Sequence, residues 1–405
     1  MRIPPEIVNA IVALFKHEED LQIILDLLRA SPRAFAPQIC MNLHDPSQSV
    51  VLQPDGSYNL LSAILSISPD IAPHIYHLRI SRGGLGSSRW LDVEERAMPA
   101  LLDACVGLRR LCVDFGYGDY SRRQQASFCE LPTSHQRALH EAMQRPTLQT
   151  LQMEHITFNV PFGSVMTLSL PAAPAHLSTL VLRRVALDRR TPGPVQYAQL
   201  SRPSSLEVLV CDGDGIQSLH VLYRAPRSCH FRNLRTVHYI WEGSRGDKRA
   251  SDLFRANPHI PDLMLTAKSR YFLRPLDLSK NEGLRVLTLN FAEVEFGRAD
   301  GIASLLSTIP SHCGLERLRL LDVSPKLEEL SGGEASLWRD IDTALCRFDA
   351  LRCVEVRLTE SAQRPQVGEG STVEEEEGMK ADIASAVKAL LHATAARNVL
   401  NLTYK

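Results

Sequence analysis

A single apolar template, L-x-x-L-x-L, returns ten times after residue 70 of this 405-residue chain and restricts the fold more than any other feature. It reads IYHLRI from Ile75, LRRLCV from Leu108, LQTLQM from Leu148, LSTLVL from Leu177 and LEVLVC from Leu206. It continues as LRTVHY from Leu234, IPDLML from Ile260, LRVLTL from Leu284, LERLRL from Leu315 and LRCVEV from Leu351. NVLNLTY, close to the C-terminus, is a degenerate further copy. Successive copies begin 24 to 40 residues apart. The fourth and sixth template positions fall on one face of an extended segment, and the residues between them on the other. Helical periodicity fills several intervals, in VEERAMPALLDACV, SHQRALHEAMQ, GIASLLSTI, ASLWRDIDTALCRF and IASAVKALLHATAA.

Strand, loop, helix and strand again, with a period of about thirty residues, resembles leucine-rich repeats. The resemblance implies an α/β solenoid with parallel strands on a concave face and helices or loops on the convex one. The family's asparagine after the strand is mostly missing and the spacing is uneven, so an irregular array is expected over residues 73–405. The competing fold is an ordinary α/β domain with several parallel strands, against which the repeated triple anchors argue. Residues 359–379, TESAQRPQVGEGSTVEEEEGM, lack apolar periodicity and read as a solvated acidic loop within the array.

The N-terminus has a different texture. IPPEIVNAIVALF is followed by KHEEDLQIILDLLRASPRAF, two short amphipathic helical patterns. Pro4 and Pro5 suit the entrance of the first, and Pro32 breaks the second. Ile3, Pro4, Glu6 and Ile7, then Ile11 and Leu14, the Asp20-Leu21 pair, and Leu25, Leu28, Ser31 and Phe35 form a segment that resembles an F-box, covering residues 1–45. A helical connection is expected at 46–72, with a helix over 60–66. The resemblance implies that Ile3, Pro4, Glu6, Ile7, Ile11, Leu14, Leu21, Leu25 and Leu28 bind a Skp-type adaptor, and through it a cullin. The protein is then the substrate-recognition subunit of a cullin-RING ubiquitin ligase, with the repeats holding a target protein. The other reading makes the helices a cap on a repeat scaffold unconnected with ubiquitin.

Composition narrows the classes further. The chain is 44% apolar and 22% charged, as folded proteins are, and its formal net charge of −1 gives no reason to expect nucleic acid or an anionic membrane as partner. Nine cysteines without a C-x-x-C pair, several inside apolar runs, read as free buried thiols in a reducing compartment, cytoplasm or nucleus. Pro4, Pro5 and Glu6 interrupt any secretory signal, and no apolar run approaches the ~18 residues of a membrane span. The sequon at Asn401 lies in an apparent strand and reads as chance.

No catalytic constellation emerges, and no cofactor or metal is expected. DFG at Asp114 lacks the other kinase motifs and reads as a loop; CDGDG from Cys211 reads as a tight turn, too short for a calcium loop. His135 and His140 are spaced wrongly for one helix face. A receptor needs no active site, because its contribution is proximity. Strand alternation assigns an outward row comprising Arg110, Asp114, Gln152, Glu154, Arg183, Asp212, His238, Asp262, Asn290, Arg317, Arg319, Glu355 and Arg357. Within it, and in the loops DFGYGDY and HYIWEG, the target-binding candidates are Asp114, Tyr117, Tyr120, Arg183, Asp212, His238, Tyr239, Trp241 and Arg319.

Overall fold

The computed structural model describes residues 26, 29, 50–52, 57–81, 97–116, 126–128, 131–159, 176–188, 205–222, 231–241, 246–268, 276–292, 301–325, 330, 332–359 and 373–404. The chain forms two compact units, residues 1–206 with 218–224, and residues 207–217 with 225–405. The segment that resembles an F-box lies outside the described residues, except for Asp26 and Arg29, which are helical and joined by an exposed ion pair.

In the first unit, β1 (Val50–Leu52) is followed by α1 (Ser57–Ile67), a 3-10 turn (Pro69–His74) and β2 (His77–Ser81). Then come α2 (Ala97–Ala104), β3 (Arg110–Asp114), β4 (Ala126–Ser127), α3 (Thr133–Met143), β5 (Thr150–Glu154) and β6 (Ile156–Asn159). Finally β7 (Thr179–Arg183) is followed by β8 (Ala186–Asp188). The main sheet is parallel, in the order β1-β2-β3-β5-β7. A smaller parallel sheet has the order β4-β6-β8.

The second unit begins at β9 (Val208–Asp212), which runs into α4 (Gly213–Leu222), the helix whose residues 218–222 belong to the first unit. It continues with β10 (Thr236–Trp241), α5 (Gly246–Ala256), β11 (Asp262–Ala267), β12 (Val286–Asn290) and α6 (Gly301–Thr308). The last elements are β13 (Arg317–Val323), α7 (Gly333–Leu345), β14 (Cys353–Leu358), α8 (Val373–Leu390), α9 (His392–Ala396) and β15 (Leu400–Tyr404). Its strands pair in parallel in chain order from β9 to β15.

The template explains this order. All three anchors of all ten copies are buried, none more than 4 % exposed. Equivalent anchors lie in register, as Leu78, Leu111, Leu151 and Leu180 do in the first unit, and Leu263, Leu287, Leu318 and Val354 in the second. Each thus stacks on its copy in the next strand, and burying one such side chain contributes about 1.5–3 kcal/mol. The degenerate copy forms β15, where Leu400, Leu402 and Tyr404 are only half-buried.

The chain also enters its strands in a recurring way. The N–H of the first anchor donates to the carbonyl three residues before it, at Leu108, Leu148, Leu234, Ile260, Leu284 and Leu351. Two of those preceding residues are buried asparagines that tie repeats together. Asn257 Oδ1 accepts from Phe231 N–H at 2.7 Å, and Asn281 Nδ2 donates to the carbonyl of Asn257 at 3.2 Å. The asparagine missing after the strands is present here before them.

Helices form where the apolar pattern predicts them, and α1 covers the expected helix at 60–66. Three segments differ from expectation. CDGDG does not make a tight turn but starts α4, whose first turn is capped by buried Asp212 accepting the Gly215 N–H at 2.7 Å. GDKRASDLFRA forms α5, burying Ala250, Leu253 and Phe254 on one face. The four glutamates of the expected acidic loop, residues 374–377, lie in the first turn of α8, because glutamate is a good helix former and acidic side chains favour a helix N-terminus. Residues 360–372 of that loop fall outside the described set.

Cys105, Cys112, Cys211 and Cys313 are buried free thiols, while Cys346 is exposed and Cys353 half-buried. Burial pushes the Cys105 thiol up to about 12 and the Cys112 thiol up to about 11. Among the described residues, no helix is long and apolar enough to cross a membrane.

Candidate functional site

With the anchors turned inward, the third and fifth template positions line the other face of each sheet. In the first unit this outward face ends in a register row of Ser81, Asp114, Glu154 and Arg183 at the C-terminal ends of β2, β3, β5 and β7. Beyond that row the ladder carries on: Phe115 N–H donates to the Glu154 carbonyl at 3.2 Å, and His155 N–H to that of Arg183 at 3.0 Å. His155 (φ 56) and Arg184 (φ 51) then adopt the left-handed conformation. That conformation is uncommon for residues other than glycine. This bend separates β5 from β6 and β7 from β8, the strands of the smaller sheet.

The bend brings the His155 ring beside Asp114, with Nδ1 3.0 Å from Oδ1. Arg79 Nη2 donates to the other carboxylate oxygen at 3.0 Å, and Gly116 N–H donates to Oδ1 at 3.0 Å. Arg184 Nη1 lies 3.4 Å from His155 Nε2. A second chain runs alongside. Arg110 Nη2 donates to Gln152 Oε1 at 3.4 Å, Gln152 Nε2 donates to Glu154 Oε1 at 2.9 Å, and Arg183 Nη1 lies 3.4 Å from that same oxygen. A Cβ on Gly116 would come 2.6 Å from His155 Nδ1, so only glycine lets the ring approach.

Burial raises the Asp114 carboxyl, but the hydrogen bonds from His155 and Gly116, the charge of His155 and the Arg79 hydrogen bond outweigh it. The net shift is below the ordinary value of 3.8. The ligand atoms of Asp114, Glu154 and His155 lie within 4.8 Å of one another, the one such group among the described residues. Arg79 and Arg183 already sit on the two carboxylates, and Arg184 on the imidazole. The arrangement is an ion-pair network whose charges are largely internally matched, and it presents guanidinium groups to solvent: the Arg79 and Arg183 side chains are 44% and 41% exposed. Arg183 Nε has no hydrogen-bond acceptor among the described residues.

The second unit repeats the theme more sparsely. His238 Nε2 lies 2.8 Å from Thr266 Oγ1. Arg319 Nε is 3.1 Å from Glu355 Oε2, close enough for an ion pair but misaligned for a hydrogen bond. Arg357 Nη2 donates to Asp322 Oδ2 at 3.1 Å, Asp322 itself being left-handed (φ 56). Burial raises the Asp262 carboxyl, and Arg319 offsets this only in part.

Of the target-binding candidates, Asp114 and Arg183 join the first unit's network, and His238 and Arg319 lie on the second unit's outward face. Three need correction. Asp212 is 2 % exposed and serves as the cap of α4. Tyr239 is 0 % exposed, packed edge-to-face on Phe254 at 6.3 Å, and Trp241 is 4 % exposed. The reason is alternation: Val237 is an anchor, so Tyr239 and Trp241 follow it to the inner face of β10. Tyr117 and Tyr120 lie outside the described residues, as do all nine adaptor-binding candidates.

Arg79 and His155 are not singled out by the sequence. Gly116 enters it only as the end of the DFG loop, and Arg184, in the Arg183-Arg184 doublet, reads as a solvated loop charge, whereas its Nη1 lies against His155. A trace of the signal exists in EHI and RRV, where a charged strand end is followed by one more polar residue and then by apolar residues resuming a strand. No family model matches this chain, and a search of curated proteins returns no match.

Proposed function

We propose that this chain is a non-catalytic substrate-recognition subunit of a cullin-RING ubiquitin ligase. In this reading, residues 1–45 dock a Skp-type adaptor and the outward face of the repeats holds a target protein. The observation that carries it is the division of labour within each strand. Anchors supply the core, while outward positions of the first unit carry Arg79, Asp114 and Arg183, joined by His155 from the bend after β5, a charged row which the burial pattern does not require. Such a rigid polar row suits recognition of another protein's surface. The F-box resemblance of the N-terminal residues supports the adaptor half of the reading.

Pull-down of a recombinant Skp-type adaptor by the intact chain tests it. Binding that is lost in the Pro4→Ala, Ile7→Asp double variant supports the ligase role. Absence of binding by the intact chain, or binding indifferent to the substitutions, removes it. What then stands is a repeat scaffold that binds a protein outside ubiquitin chemistry, a reading the outward row supports by itself.

A further inference from the structure

A second surface lies at the other ends of the strands. Where the chain enters β10 to β14, a groove of about 980 Å³ crosses five consecutive repeats of the second unit. Its rim carries Arg232, Arg235, Arg285 and Arg352, all exposed, and Gly314 lies open on its lining. Three of these cations, Arg232, Arg235 and Arg352, have no side-chain partner among the described residues. Two carboxylates share the groove with these four arginines. Glu316 Oε1 lies 3.5 Å from Arg285 Nη1, and Glu282 Oε1 lies 4.0 Å from His312 Nε2.

The fold does not ask for arginine here. The residue after the first anchor works through its backbone, its carbonyl accepting N–H groups from the next strand. The Glu207 carbonyl accepts from Arg235 and Thr236 at 2.8 and 2.9 Å, and that of Arg285 from Glu316 and Arg317 at 2.8 and 3.0 Å. In the first unit Tyr76 and Gln149 do the same with quite different side chains. The Arg235 and Arg352 side chains therefore serve neither the strand ladder nor an ion pair among the described residues.

We infer that this groove binds an extended acidic peptide segment of a partner protein. Arg235, Arg285 and Arg352 precede alternate strands, β10, β12 and β14, and so stand about 10 Å apart along the groove. A peptide in the extended polyproline II conformation turns the same face to the groove every third residue, about 9 Å on, which sets a carboxylate near each arginine. A nucleic acid strand fits less well. The groove offers no Phe, Tyr or Trp for bases to stack on. The inference is independent of the ubiquitin reading.

The test is fluorescence anisotropy of the full-length chain with a fluorescein-labelled peptide of four Glu-Thr-Ser repeats, its Gln-Thr-Ser counterpart and a labelled oligothymidylate. Wild type should bind the glutamate peptide, ignore the glutamine peptide and release its ligand as salt is raised. Arg235→Ala with Arg352→Ala should weaken binding about tenfold. Gly314→Trp should abolish it by filling the groove, since the position is open and a Cβ there meets nothing within 4 Å. An unchanged melting temperature checks that the fold is kept. No binding by wild type, equal binding by the double variant and Gly314→Trp, or tighter binding of the oligonucleotide would overturn the inference.

Discussion

Gly116 shows how closely the outward network is fitted. Replacing it with alanine drives a methyl group into the His155 ring, so Gly116→Ala should cost about 1–3 kcal/mol in urea denaturation. It should also separate His155 from Asp114. The Asp114 carboxyl itself has a depressed folded value, so its stabilisation is fully present above the unfolded value near 3.8 and is lost as the pH falls through the lower folded value. Wild type should exceed Asp114→Asn in stability at neutral pH, and the gap should close on acidification below 3.8. A gap that widened in acid would contradict the geometry. At this scale the sequence is only partly legible. Strand alternation places Asp114, Arg183, His238 and Arg319 correctly, because it depends on backbone period alone. It also holds Tyr239 and Trp241 inside, against the expectation drawn from their aromatic character. The approach of His155 to Asp114 depends on a left-handed residue and a neighbouring glycine from another repeat, a coincidence that no local pattern encodes.

Among the elements, strands were far easier to read than their connections. Three anchors per copy, each buried and in register, leave the strands one way to pair. Leu287→Ala, in the middle of the second unit's sheet and 0 % exposed, should cost about 2–5 kcal/mol. Leu400→Ala, at the same template position in half-buried β15, should cost roughly half of that or less. Equal losses in urea denaturation would mean that β15 is buried as deeply as the interior strands. Helices with full apolar stripes, such as α3 and α7, were visible because amphipathicity is a local property. The start of α4 was hidden by two glycines, and the start of α8 by four glutamates whose repulsion suggested a loop. In both places a helix N-terminus accommodates acidic groups that composition alone counts against order.

At the scale of the whole molecule, the parallel α/β architecture follows from repetition itself, since each strand repeats the anchors of the last. The partition into two compact units has no such marker, because the LSTLVL and LEVLVC copies on either side of residue 206 look alike. In the proposed function the outward row meets a target, the strand-entry groove an acidic segment and residues 1–45 an adaptor. The last assignment decides the biology. It is tested most directly by calorimetric titration of a Skp-type adaptor into the intact chain. A saturable one-to-one complex, abolished by Pro4→Ala with Ile7→Asp while the melting temperature of the repeats is unchanged, is the predicted result. The absence of any complex with the intact chain, or an affinity the two substitutions leave untouched, would contradict it.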